Sequence, residues 1–267
     1  MRLSVSEIHP TAVIHPSAEI GSGCHVGPFC VIHAGVRLGD DCWLQDHVSL
    51  AGPSEIGPRN RFFAFSSIGQ QSQDMKYAGE PTHLAIGHDN TFREFCTVNR
   101  GTAPGGFTRV GNHGTFLAYS HVAHDCVVGD SVIFSNNGTI AGHVTVEDNV
   151  VIGGLTAVHQ FCRIGCHVIT GGCSKIVQDI PPYLIADGNP AAIRGLNQVG
   201  LERQGFSAND LRLLKEAYKI LFLRKLPQID ALAAIRALTP SSESLAHFAN
   251  FVEASPRGIV RTGRGAR

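Results

Sequence analysis

From Ile8 onward, every sixth residue of the chain is large and apolar. The series runs Ile8, Ile14, Ile20, Val26, Ile32, Leu38, Leu44, Leu50, Ile56, Phe62 and Ile68. It returns in phase at Ile86, Phe92 and Val98, and again from Val110 through Ile164 to Ile176. Of the 29 positions reached by steps of six between 8 and 176, 25 are Ile, Leu, Val or Phe. The exceptions are Asp74, Glu80, Pro104 and Thr170, and the first three fall in stretches, 70–85 and 99–109, that read as loops. Neither a helical period of 3.6 nor a strand period of 2 yields such a series over 170 residues. A hexapeptide repeat does: each hexad is a short strand and a corner, and three hexads close one triangular coil of 18 residues. The predicted architecture is a parallel β-helix.

Four residues after each apolar position comes a second inward slot. It holds small side chains: Ala12, Ala18, Cys24, Cys30, Val36, Cys42, Val48, Ser54, and later Cys96, Gly114, Ser120, Cys126, Val132, Gly138 and Val144. Converging corners leave little room there, which explains the selection for size. The residue directly after the apolar one is often glycine (Gly21, Gly27, Gly39, Gly57, Gly87, Gly111, Gly129, Gly153, Gly165), suggesting that the corner needs glycine's backbone freedom. Six of the eight cysteines (Cys24, Cys30, Cys42, Cys96, Cys126, Cys162) occupy the small slot and act as compact core residues. Cys166 and Cys173 lie off it. No CxxC pair supports a disulfide framework or zinc ribbon, which favours a reducing, cytoplasmic setting.

Pro181-Pro182 can neither continue a ladder nor sit deep in a helix, so the repeat should finish near it. Beyond Gly205 the spacing turns helical. Ser207 and Asp210 resemble a capping box, and Leu211, Leu214, Ala217, Tyr218 and Leu221 form an apolar stripe. Pro227 interrupts it, Ile229–Leu238 makes a second helix, and Thr239-Pro240 leads to a third around Leu245, Phe248 and Val252. The tail Arg261–Arg267 should fray. The division is a β-helix over 1–190 and an α-helical domain over 191–267.

Composition narrows the function. Lys+Arg and Asp+Glu both number 22, giving zero formal charge and no basic excess of the kind a nucleic-acid binder shows. The charges are unevenly spread: residues 201–267 hold 11 of the basic residues and 6 of the acidic ones, enough to attract an acidic partner. No apolar run is long enough to span a bilayer, and the first residues carry no signal-peptide core.

A coil of 18 residues stacks residue i beneath i+18, at a spacing of roughly 4.8 Å. His124 then lies below Gly142 and Gln160, Asp125 beside His143 and Phe161, and Ala123 beside Ala141 and His159, with His121 one strand-length earlier. One edge thus gathers His121, His124, His143, His159 and Gln160 from 40 residues of sequence. Singly, each would be an ordinary solvated residue; together they fit two uses. One histidine can act as a general base, or three can hold zinc with one position open to water. Gly142, one coil above His124, lets a backbone N–H approach a reacting carbonyl, the geometry of an oxyanion donor.

Several segments carry a family resemblance: Gln73-Asp74-Met75-Lys76-Tyr77-Ala78-Gly79-Glu80-Pro81, Asn99-Arg100-Gly101-Thr102, Ala123-His124-Asp125-Cys126, Thr156-Ala157-Val158-His159-Gln160-Phe161 and Ser255-Pro256-Arg257-Gly258-Ile259. With the hexapeptide repeat, they resemble the acyl-[acyl carrier protein]–UDP-N-acetylglucosamine O-acyltransferases over residues 8 to 261. The resemblance implies a mainly β, left-handed parallel β-helix with a C-terminal α-helical domain, assembled as a homotrimer with sites between subunits. It implies a 3-hydroxyacyl group passed from acyl carrier protein to the glucosamine 3-hydroxyl of UDP-N-acetylglucosamine, the first step of lipid A biosynthesis. It implies no metal and no cofactor beyond the donor's own 4'-phosphopantetheine thioester, and no membrane insertion.

By the same resemblance His124 is the general base, Asp125 its orienting partner and the Gly142 N–H the oxyanion donor. His121, His143, His159 and Gln160 surround the sugar and the thioester. Asp74 and Lys76 reach the nucleotide sugar from a loop that could belong to a neighbouring subunit. Asn197, Arg203 and Gln204 fall at the uridine-diphosphate positions, and Gly172 and Pro190 along the acyl-chain groove. The chain departs from the family pattern at Val199, where a Glu is usual, and at Gln204, where a second Arg is usual. A 3-amino sugar nucleotide acylated on the same scaffold, and a γ-type carbonic anhydrase-like zinc enzyme, are the alternative readings.

Overall fold

The computed structural model describes residues 5–238 and 242–263. Its first two thirds form a left-handed parallel β-helix whose faces are three sheets of eleven, nine and eight strands. Most strands are two residues long, with the six-step residue turned inward, as in Val31–Ile32, Trp43–Leu44 and Thr115–Phe116. Strands stack in parallel at an offset of 18, so Val26 pairs with Leu44 and Ile32 with Leu50. Two places differ. Ser54 pairs with Leu84, an offset of 30, and His83 with Phe107, an offset of 24. The excesses are two hexads and one, which is why the series keeps its phase across both loops. Asp74, Glu80 and Pro104 are the phase positions of the extruded hexads. Thr170 differs: it is buried at its inward position, where its hydroxyl accepts a hydrogen bond from the Gly153 N–H at 2.8 Å.

The core is a set of stacked ladders. Phe62, Phe92, Phe116 and Phe134 form one, with successive ring centroids 5.2, 4.6 and 5.1 Å apart, all essentially excluded from solvent. Where the small slot is polar it ties coils together. Asn60 accepts from the Asn90 N–H at 2.9 Å, and Asn90 from the Gly114 N–H at 2.7 Å. The six slot cysteines are all buried free thiols.

The corner glycines serve a purpose other than the expected one. Positive φ falls two residues further on, at non-glycine residues such as Asp41, Phe65, Asp125, Asn137, His143 and Phe161. None of the positive-φ residues described is β-branched, as the sterics of that region require. The nine corner glycines named above have ordinary φ and are needed because the next coil passes too close. A Cβ on Gly39 would lie 2.7 Å from the Gly57 carbonyl carbon, and one on Gly129 would lie 2.3 Å from Asp148 Oδ1.

The expected boundary at 190/191 falls inside an antiparallel hairpin, Leu184–Asp187 with Ala192–Leu196, that extends the eleven-stranded sheet. Four helices follow: α1 (Gln198–Arg203), α2 (Ala208–Phe222), α3 (Gln228–Leu238) and α4 (Glu243–Glu253). The six-residue α1 begins before Gly205, where helical spacing was expected to start, and is capped by Asn197, whose side chain accepts from the Gly200 N–H. Ser207 caps α2 as predicted, accepting from the Asp210 N–H. The buried stripe of α2 is Leu213, Leu214, Ala217, Ile220 and Leu221; Leu211 and Tyr218 lie at its margin.

The chain then returns to the solenoid. Val260 N–H donates to Asp179 O at 2.9 Å and Ile193 N–H to Arg261 O at 3.0 Å, while Thr262 bridges Ile193. The start of the expected frayed tail is therefore paired. Thr239-Pro240 and Arg264–Arg267 lie outside the described residues. Where α4 meets the last coils, His247 Nε2 lies 2.7 Å from Glu147 Oε2.

Phe92 tests the ladder, because its ring stacks on both Phe62 and Phe116. Phe92→Ala should lower unfolding free energy by about 3–5 kcal/mol, read as an earlier urea midpoint. A loss under about 1 kcal/mol would mean that the coil above and below closes the gap.

Candidate active site

The corner that follows the nine-stranded sheet carries the cluster. Asp125, His143 and Phe161 occupy successive positive-φ corners, so their side chains project outward one above the other. His143 and Phe161 stack, with centroids 4.6 Å apart and planes 10° off parallel. His124 stands edge-on to His143 at 5.3 Å and 88°. Its ring lies flat against Gly142: a Cβ there would sit 2.3 Å from His124 Cε1 and 2.6 Å from Nε2. Only glycine leaves room for that imidazole. The Gly142 N–H has no hydrogen-bond acceptor among the described residues.

Asp125 orients His124. Their side chains are 12% and 13% exposed, and His124 Nδ1 lies 2.8 Å from Asp125 Oδ2. An ionised carboxylate accepts only, which places a proton on Nδ1 and turns Nε2 toward Gly142. Asp125 is itself held: Oδ1 accepts from the Thr102 N–H at 3.0 Å, and its own N–H donates to Thr108 Oγ1 at 2.8 Å. Burial pushes its carboxyl up, but the bonds from Thr102 and His124 and the charge of His143 outweigh this, and it is held below the usual range.

The extruded hexads build the remaining wall. Thr102 Oγ1 lies 2.9 Å from His124 Nδ1 and 2.7 Å from Ser72 Oγ, whose oxygen accepts from the Asp74 N–H at 3.1 Å. Ligand-type atoms of Asp74, His124 and His143 all lie within 4.8 Å of one another, a set that could coordinate a cation as well as carry a proton. Asp74 therefore meets His124 within one chain. Ser72 and Thr108 escaped the sequence reading, and Thr102 was singled out only as the end of the Asn99-Arg100-Gly101-Thr102 segment. For Ser72 the break in the six-step series at Asp74 was the nearest signal.

The other candidates spread out. His121 lies on the outer face of the same sheet, where its Nδ1 meets Thr97 Oγ1 at 2.7 Å. His159 and Gln160 are exposed one coil above Gly142, and Lys76 projects from the first extruded loop, its N–H on Asp74 Oδ1 at 2.8 Å. Gly172 and Pro190 are also exposed, Gly172 at the opposite edge of the nine-stranded sheet, three coils above Tyr119's corner. A Cβ on Gly172 would meet nothing nearer than the Gly154 carbonyl oxygen at 3.4 Å. Asn197 is buried and committed, donating to His167 O at 2.8 Å while capping α1, whose last turn holds Arg203 and whose C-cap is Gln204. Among the described residues no hydrogen bond joins Asn197, Arg203 or Gln204 to His124. A concavity of about 1070 Å³ lies along the eight-stranded sheet between Glu19 and Asp130, away from this cluster.

Comparison with known proteins places these features in context. Residues 179–260 match the family profile described as UDP N-acetylglucosamine O-acyltransferase, domain 2. The acyl-[acyl-carrier-protein]–UDP-N-acetylglucosamine O-acyltransferase of Thiobacillus denitrificans is 46% identical over 258 residues, covering 96% of this chain and all of the relative. That of Herminiimonas arsenicoxydans is 45% identical over 262 residues, with the same coverage. Among solved structures, LpxA from Acinetobacter baumannii superposes with a TM-score of 0.91 at 42% identity, over 95% of this chain and 99% of that one. The Francisella novicida UDP-N-acetylglucosamine acyltransferase gives 0.94 at 35% identity, over 96% and 95%.

Burial, and then the proximity of His124, hold the His121 imidazole below its ordinary value. In an NMR titration its ring protons should move with a midpoint under 6.5. A midpoint above that value would mean a charged partner faces it.

Proposed function

The chain belongs to the acyl-[acyl carrier protein]–UDP-N-acetylglucosamine O-acyltransferase family, and from that membership we propose that His124 and Gly142 carry out its acyl transfer. The enzyme moves an acyl group from acyl carrier protein to UDP-N-acetylglucosamine in lipid A biosynthesis. The finer reading is a 3-hydroxyacyl group delivered to the glucosamine 3-hydroxyl.

One observation carries the mechanism: the His124 ring pressed on Gly142, with Asp125 on its far nitrogen. Nε2 takes the proton of the sugar hydroxyl as the oxygen attacks the thioester carbon. The Gly142 N–H, unused within the fold, donates to the oxyanion that forms, a contribution of roughly 3 kcal/mol. Collapse breaks the carbon–sulfur bond, and the departing thiolate takes the proton back from Nε2. The products are the O-acyl sugar nucleotide and the free carrier thiol, with no covalent enzyme intermediate. Asp125 keeps the tautomer correct and stabilises the transient imidazolium. His121, His143, His159 and Gln160 line the approach to this centre, with Asp74 and Lys76 above it.

The separation of Asn197, Arg203 and Gln204 from His124 supports a homotrimer in which one subunit's α1 covers another's histidine corner. In that arrangement Arg203 meets the diphosphate, with Val199 and Gln204 in place of a Glu and a second Arg, while Gly172 and Pro190 border the acyl chain. Arg212, Lys215 and Lys219 are exposed on α2 and offer the acidic carrier protein a basic face. No described helix is long and apolar enough to cross a membrane, and a cytoplasmic location fits both substrates.

His124→Ala should lower kcat by about 10²–10⁴-fold in a protein that keeps its circular dichroism. Gly142→Ala, which drives the ring aside, should also lower kcat. Activity should survive a strong chelator; loss to chelation, restored by zinc, would instead make Asp74, His124 and His143 metal ligands. A second test addresses the shared site. His124→Ala and Arg203→Ala chains, each impaired alone, should regain activity when unfolded together and co-refolded. Mixed material no more active than the sum of its parts would place both residues in one subunit's site.

A further inference from the structure

The interior slot accounts for six of the eight cysteines and leaves Cys166 and Cys173. Cys166 is off the interior slot, half-buried, and outside the acyl-transfer centre. It lies where the last coils meet α4, beside Glu147 from the coil below and His247 from the helix. One ligand-type atom from each of Glu147, Cys166 and His247 lies within 4.8 Å of the others.

The surroundings already orient these groups. The Cys166 N–H donates to Glu147 Oε2 at 2.9 Å, and the same oxygen meets His247 Nε2 at 2.7 Å. Arg163 stands 4.0 Å from the other Glu147 oxygen, and the Tyr183 ring packs edge-on to His247 at 6.3 Å. The Tyr183 phenol interacts with both Cys166 and Ser244. All three groups are partly exposed, so an entry path and room for water exist.

Two other groups of three ligand-type residues occur among those described. One is the His124 centre. In the other, His88, Asp89 and His113, the Asp89 carboxylate is held by Arg59 through two bonds of 2.8 and 2.7 Å, which puts a cation in the metal's place. The Cys166 group is alone among the three in containing sulfur. A thiolate, an imidazole and a carboxylate with an open fourth position are the donor set of a tetrahedral zinc-class ion. Such an ion spaces its ligand atoms roughly 3.3–3.8 Å apart, so Glu147 and His247 would part slightly and Cys166 would draw inward.

We propose that Glu147, Cys166 and His247 bind a zinc-class divalent cation, with water as fourth ligand, that fastens α4 to the last coils of the β-helix. Binding expels the thiol proton and the proton shared by His247 and Glu147 to solvent. The site is independent of acyl transfer, since none of its ligands touches the His124 centre.

Full-length protein stripped with a chelator and titrated with cobalt(II) should develop a thiolate-to-metal charge-transfer band that saturates near about one equivalent per chain. Zinc(II) should displace it and raise the melting temperature. Cys166→Ser should abolish the band and the zinc-induced shift while leaving acyl transfer unchanged. His247→Gln should weaken binding at least about tenfold, and Cys173→Ser should change nothing. The proposal is overturned if wild-type protein gives no charge-transfer band. It is equally overturned if the band survives Cys166→Ser, or if it disappears with Cys173→Ser instead.

Discussion

Everything in this molecule depends on one packing constraint: each coil must lay its inward side chains directly on those of the coil beneath. Parallel strands of two residues have little stability of their own, and their backbone hydrogen bonds run entirely between coils. The Phe62–Phe92–Phe116–Phe134 ladder and the Asn60–Asn90 bridges hold the stack in register. A chain inserted into such a stack must therefore enter as whole hexads. The loops at 70–82 and 100–106 obey that rule, which is why they can be long and polar without displacing a single core residue.

Those same extrusions turn a repetitive scaffold into a site. The solenoid alone supplies a column of outward corner residues, His143 and Phe161 among them, at fixed spacing. It supplies no second layer. The loops bring Thr102 and Ser72 over the corner, and these hold Asp125 and His124 from the solvent side. His124 is thus fixed on three sides: Gly142 behind, Asp125 on Nδ1 and Thr102 above. Such restraint suits the proton transfer proposed for it.

Legibility followed geometry. The six-step series was readable because a narrow triangular interior accepts few side chains, and stacking at 18 then put His124 beneath Gly142 by arithmetic alone. The corner glycines were assigned to the wrong cause. Their absence of a Cβ answers a close approach between coils, as at Gly39 and Gly129, while positive φ falls on Asp125 and its neighbours in register. Helix α1 was missed because six residues cannot display a helical period, and its start depends on one buried side chain, Asn197. Thr108 was invisible, and the part played by Thr102 within its segment was too, for another reason. Their importance comes from which carboxylate they meet, and the fold brings them to it from outside the repeat or from its edge.

The return of the chain at residues 258–262 has a further consequence. The helical segment leaves the solenoid after Leu196 and is tied back to it through Asp179 and Ile193. Both of its ends are sewn to the same rigid post. A tug on the C-terminus would load those stitches sideways before any helix felt the strain, so the four helices are tethered as a loop and not left to dangle as an appendage.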